Sequence, residues 1–192
     1  MSNSVTIVWF RQDLRLRDNT ALQAALEIGD PILPLFIDDR DAAADWAPGE
    51  ASRWFLHQAL RSLQESIEAA GGEFCFLEGD SLDCLQGLIK RSGAKRVYWN
   101  RRYGGPQRRL DAEIKQTLRN ADIEIKSFNS SLLNEPHTVS TGSGKPYRVY
   151  TPYWNKVKDR KVECPVEVEV KSLRFYKGET EGRALGDLRL LP

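Results

Sequence analysis

Apolar runs and amphipathic segments alternate along the first 128 residues. Val5 to Phe10 is a short run rich in β-branched and aromatic residues. Pro31 to Ile37 is apolar at nearly every position, the pattern of a strand buried on both faces. Between them, Leu22, Ala25 and Leu26 share one side of a helix over 18–28, with Asp18 as its N-cap and Gly29 as its stop. Leu56, Leu60, Leu63, Ile67 and Ala70 recur at spacings of 4 and 3, which predicts a second helix closed by Gly71 and Gly72. Glu73–Leu77, Arg96–Asn100 and Ile123–Phe128 read as further strands. Ser81–Lys90 and Gln107–Arg119 read as helices, the latter with Leu110, Ile114 and Leu118 aligned.

Strands that alternate with helices pair in parallel, because each helical crossover returns the chain to the same end of the sheet. The expected fold class is α/β: a five-stranded, doubly wound parallel sheet, Rossmann-like, over residues 1–130, with an extended C-terminal linker over 131–192. Such sheets bind ligands beyond the carboxyl ends of their strands, where the strand order reverses. Those ends are Phe10-Arg11, Ile37-Asp38 and Trp99-Asn100. After residue 128 the pattern changes. Residues 129–143 are rich in Ser, Asn, Thr and Gly, 147–154 are dense in aromatics, and 163–170 alternate Val with Glu. No helix of good periodicity is predicted over 155–192. A tail of this kind is uncommon in a complete compact domain, and it points to a packing partner outside this sequence.

Composition narrows the function classes. The 192 residues are 41% hydrophobic and 29% charged, a balance that supports a buried core and excludes a disordered chain. Lys and Arg number 28 against 27 Asp and Glu, so the chain as a whole is no polyanion-coating protein. No apolar stretch reaches the ~18 residues of a membrane span, and no basic segment precedes the first apolar run as in a secretory signal. The cysteines, Cys75, Cys84 and Cys164, are odd in number and form no Cys-x-x-Cys; reduced thiols in a cytoplasmic protein are the simplest reading. His57 and His137 lie far apart, without ligand spacing, and no metal site is expected.

Three segments could carry chemistry. The first turn, Trp9 to Asn19, contains no glycine and so is not a backbone phosphate cradle. Its Arg11, Asp13, Arg15 and Arg17 either brace the turn or meet a ligand. The second segment, Asn100 to Arg109, carries Arg101, Arg102, Arg108 and Arg109 around Gly104 and Gly105. Arginine at a helix start opposes the helix dipole, and an anion would relieve that; paired glycines would let a flat ring approach the backbone. The other reading is a solvated basic turn paired with Asp111 and Glu113. Arg53, at the start of the second helix, reads from the residues alone as a surface arginine paired with Glu50. The third segment, Lys145 to Lys158, interleaves Tyr147, Tyr150, Tyr153 and Trp154 with basic residues; docking of another domain is favoured over stacking on single-stranded DNA. Cys75 and Cys84 read as buried or half-buried thiols with no base beside them.

Val8 to Asn19, reading VWFRQDLRLRDN, closely resembles the opening motif of the DNA photolyase/cryptochrome family. Residues 49–56 (GEASRWFL), 97–100 (VYWN), 141–154 (TGSGKPYRVYTPYW) and 185–192 (LGDLRLLP) resemble further family segments in the same order. The resemblance implies an N-terminal domain that carries a light-harvesting antenna chromophore. It also implies a separate helical domain, outside this chain, that binds FAD and damaged DNA. By that implication the full-length protein splits cyclobutane pyrimidine dimers with light and the present segment alone is inactive. The implied chromophore contacts lie in loop 10–14 (Phe10, Arg11, Asp13, Leu14), at Phe36 and Arg53, and in turn 100–108 (Asn100, Gly104, Gly105, Gln107, Arg108). Folate-binding members hold the pterin with a carboxylate where this chain has Gln107. Deazaflavin-binding members place an acid near the position of Arg102. Reduced folate, deazaflavin and a flavin nucleotide therefore all stay open. A cryptochrome-type photoreceptor and a stand-alone nucleotide-binding module are the alternatives.

Overall fold

The structure, a computed structural model, describes residues 4–40 and 47–191. Strands β1 (Val5–Phe10), β2 (Ile32–Asp38), β3 (Cys75–Glu78), β4 (Ala94–Asn100) and β5 (Glu124–Phe128) form one parallel sheet in the order β3-β2-β1-β4-β5. Helices α1 (Thr20–Ile28), α2 (Glu50–Ala69), α3 (Ser81–Ser92) and α4 (Gly105–Asn120) connect them, and α5 (Tyr150–Val157) follows. The strand order reverses between β1 and β4, which places the crevice expected for such sheets at the carboxyl ends of those two strands.

Side chains of the buried strands alternate between two cores, as the two-residue period of a strand requires. Ile7, Trp9, Leu33, Leu35, Val97 and Trp99 meet Leu85 and Leu88 of α3 and Ile114 and Leu118 of α4. Val8, Phe10, Phe36 and Tyr98 meet Ala21, Leu22 and Ala25 of α1 and Leu60, Leu63 and Ile67 of α2. The expected α/β class with helices on both faces is what the chain adopts.

Two local expectations are corrected. The N-cap of α1 is Asn19, whose side chain accepts from Leu22 N, and not Asp18. Asp18 sits at φ 49 and is engaged by the C-terminal segment: its N donates to Val166 O at 3.0 Å and its Oδ1 accepts from Val166 N at 3.1 Å. The helix α5 had no signature in the apolar pattern, because Val157 is its only buried residue and its aromatics are largely exposed.

The segment after β5, apart from α5 and short turns, has little regular structure, yet it is packed. Leu173, Leu185, Leu188 and Leu190 are buried against the α1/α2 core. Ile32 N donates to Arg174 O at 2.7 Å, and Tyr176 N to Ile32 O at 2.9 Å. Arg183 bridges Phe76 of β3 in antiparallel fashion, which covers an edge strand that would otherwise present unpaired backbone groups. No helix among the described residues is long and apolar enough to cross a membrane.

Candidate functional site

The first and fourth turns meet at one rim, over the carboxyl ends of β1 and β4. Arg11, one residue past β1, is buried: its side chain is 4% exposed. It donates to Asp111 Oδ1 of α4 at 2.7 Å and to the carbonyl of Asn100. Arg102 Nη2 donates to the same Asp111 oxygen at 2.9 Å. The Arg11 guanidinium lies 4.7 Å from the ring centre of Trp9 and 5.6 Å from that of Trp99, and the two indoles meet edge to face. Burial, and then the nearby Arg102, lower the pKa of Arg11 to about 10 against the opposing pull of Asp111.

Asn100 staples the two turns together. Its side-chain Nδ2 donates to Asp13 Oδ2 at 2.6 Å and to Asn19 Oδ1 at 2.8 Å, and its Oδ1 accepts from Ala21 N at 3.1 Å. Asp13 also accepts from the backbone N of Arg11 at 2.9 Å. These contacts fill the crevice. The opening left beside Asp13, Asn100 and Arg102 has a volume of about 60 Å³, far below the several hundred Å³ of a cofactor pocket. Arg11, Asp13 and Asn100 brace the turns through these hydrogen bonds, with Asp111 as counter-ion of the buried Arg11.

The other expected residues divide in two. Phe10 and Phe36 are register partners across β1 and β2, 1% and 5% exposed, and lie in the α1/α2 core; Phe10 packs edge-on against Phe74. Leu14 is half-buried against the same core. Gly104 and Gly105 are exposed, but a Cβ at Gly104 would collide with the Gln107 side chain, which lies over it. Arg53, in the first turn of α2, is half-buried and forms no ion pair with Glu50. Its Nε is buried without a hydrogen-bond partner, and so is Nδ1 of His57, one turn further along α2. Between them, Trp54 and Phe55 are exposed at 54% and 69%. Buried polar atoms without partners are uncommon in proteins. In sequence the His57 signal was only its spacing of 4 from Arg53.

Arg108 lines a different pocket, of about 220 Å³, on the outer side of the fourth turn, together with Arg102, Asp111, Lys115 and Glu135. Glu135 holds Arg101 through both oxygens at 2.7 and 2.9 Å and accepts from Tyr103 Oη at 2.6 Å. Asp111 and Lys115 follow Arg108 at spacings of 3 and 7 on α4, and Glu135 arrives from beyond β5 with no local signal. A further cavity of about 240 Å³ lies at the β3 edge, between Cys75 and Tyr176, away from the strand carboxyl ends. No cluster of metal-ligating side chains occurs among the described residues.

Comparison with known proteins follows the geometry. A family model described as DNA photolyase matches residues 6–170. A deoxyribodipyrimidine photo-lyase of Agrobacterium fabrum is 40% identical over 192 residues, covering 100% of this chain and 40% of the relative. Cryptochrome-2 of Arabidopsis thaliana is 35% identical over 159 residues, 82% of this chain and 26% of that protein. The crystal structure of a bacterial class III photolyase from Agrobacterium tumefaciens superposes with a TM-score of 0.87 at 39% identity, covering 100% of this chain and 39% of that one. The chain thus spans about 40% of the length of the first of these relatives.

Proposed function

The chain belongs to the DNA photolyase family, and from that premise we propose that it is the N-terminal light-harvesting domain of a deoxyribodipyrimidine photolyase. The observation that carries this reading is the 40% identity to the Agrobacterium fabrum enzyme, sustained along all 192 residues. In this reading residues 1–130 hold an antenna chromophore. Residues 131–192 lead to a helical FAD-binding domain of the same protein, and damaged DNA binds through that domain. The free thiols Cys75, Cys84 and Cys164 suit a cytoplasmic protein.

A bound chromophore supplies absorption of near-ultraviolet or blue light; the protein supplies position and polarity. The contacts we assign to it are Leu14 of the first turn, Arg53 of α2 and Gln107 of the fourth turn, with the exposed backbone at Gly105. Arg53 Nε and His57 Nδ1, one turn apart on α2, are both buried without a hydrogen-bond partner. Arg11, Asp13 and Asn100 act at one remove, by locking the first and fourth turns in a fixed relation. Phe10 and Phe36 act as the packed floor of β1 and β2. A rigid support of this kind is what holding a ring in a fixed orientation demands.

The test is spectroscopic. Purified protein titrated with riboflavin 5′-phosphate, reduced folate and a deazaflavin should shift the spectrum of one of them, and Arg53→Ala should weaken that binding while leaving the fold unchanged. No shift with any of the three would refute the antenna assignment. A second reading, a cryptochrome-type photoreceptor, is favoured by the 35% identity to the Arabidopsis protein. Light-dependent repair of thymine-dimer DNA by the protein joined to its helical domain separates the two.

A further inference from the structure

The pocket on the outer side of the fourth turn carries charge that the chain does not balance. Four permanent cations line it, Arg101, Arg102, Arg108 and Lys115, against two carboxylates, Asp111 and Glu135. Glu135 is taken up by Arg101, and Asp111 is shared between Arg102 and the buried Arg11. Arg108 has no ion pair or side-chain hydrogen bond among the described residues, and Lys115 forms no ion pair there: its Nζ donates to the neutral Ser127 Oγ at 2.7 Å and lies 5.7 Å from the centre of the Trp99 ring. Arg102 Nε is buried with no partner. Arg108 and Lys115 are 7 residues apart on α4, two turns along the same face.

We propose that this pocket is a phosphate-binding site, in which Arg108 and Lys115 hold the anion and Arg102 closes the third side. The two surplus positive charges match a phosphate monoester, which carries about −1.5 to −2 near neutral pH, better than they match a carboxylate. The planar donors of arginine suit phosphate oxygens. Burial lowers the Lys115 ammonium below the ordinary lysine value, and Arg101, Arg119 and Arg11 add to this against Asp111. An anion beside it would reverse that. The proposal is independent of the light-harvesting assignment and stands if no pigment binds.

Calorimetric titration of the purified protein with inorganic phosphate, riboflavin 5′-phosphate and riboflavin tests it. Saturable binding of both phosphates, weakened about tenfold or more by Arg108→Ala and by Lys115→Met, is the expected result. Arg108 is exposed and unpaired, so its variant retains the fold. Riboflavin should show no binding that responds to either substitution. If riboflavin 5′-phosphate outcompetes inorganic phosphate, the site holds the tail of a nucleotide; equal affinities mark a site for free phosphate. Absence of saturable phosphate binding, or binding that both variants leave intact, would overturn the assignment.

Discussion

Asp111 has the largest single task of any carboxylate near the rim. It is the counter-ion of Arg11, both side chains are under 10% exposed, and it also holds Arg102. Removing one partner of a buried pair leaves a charge without compensation. Asp111→Asn should therefore destabilise the protein by about 3–5 kcal/mol, whereas the double replacement Arg11→Met with Asp111→Leu should recover most of that; urea denaturation of the three proteins measures both. A second carboxylate sets a pH dependence. Hydrogen bonds from Lys126 and Tyr98 hold the Glu124 pKa down to about 2 from an ordinary 4.5. The folded state thus resists protonation that the unfolded chain accepts. Stability from Glu124 is present above about pH 4.5 and is lost as the pH falls toward 2. Glu124→Gln should flatten the urea midpoint over that interval, and an unchanged slope would contradict the assignment.

At the scale of elements, α1 and the C-terminal segment are each fixed by a few contacts. The Asn19 side chain caps α1, accepts from Asn100 and donates to Arg15 O at 3.0 Å. An ordinary cap is worth about 1 kcal/mol, and Asn19→Ala, which also removes one of the two acceptors of the Asn100 amide, should cost about 2 kcal/mol or more in thermal or urea unfolding. Gly72 is the tightest point under the C-terminal segment: a Cβ there would sit 2.6 Å from the Phe175 ring and 2.8 Å from Ile67 Cγ2. Gly72→Ala should lift residues 173–176 from β2, seen as faster amide exchange at Ile32 and Tyr176. The segments with strong periodicity, such as Leu60, Leu63 and Ile67 on α2, were legible in sequence because burial imposes their spacing. Asp18 was misread because its side chain answers to Val166, 148 residues away, and α5 because its aromatics face outward.

For the whole molecule, the topology was legible and the use of the rim was not. Alternating elements announced the parallel sheet, and the strand reversal puts Arg11 and Asn100 side by side. Sequence alone could not reveal that these residues would close on each other through Asp13, Asn19 and Asp111, because a charged turn looks the same whether its partners are a ligand or the protein. The same limit hid His57, whose buried Nδ1 lacks a hydrogen-bond partner, while Arg53 was singled out only through the family resemblance. Residues 173–191 should also prove resistant to limited proteolysis, given the burial of Leu173, Leu185, Leu188 and Leu190. The light-harvesting assignment itself is tested most directly by energy transfer in the protein joined to its helical domain: the excitation spectrum of light-driven dimer repair, recorded with the antenna pigment bound. The account predicts a band of the pigment in that spectrum, absent from the Arg53→Ala protein. A repair spectrum that follows FAD alone, with or without added pigment, would contradict it.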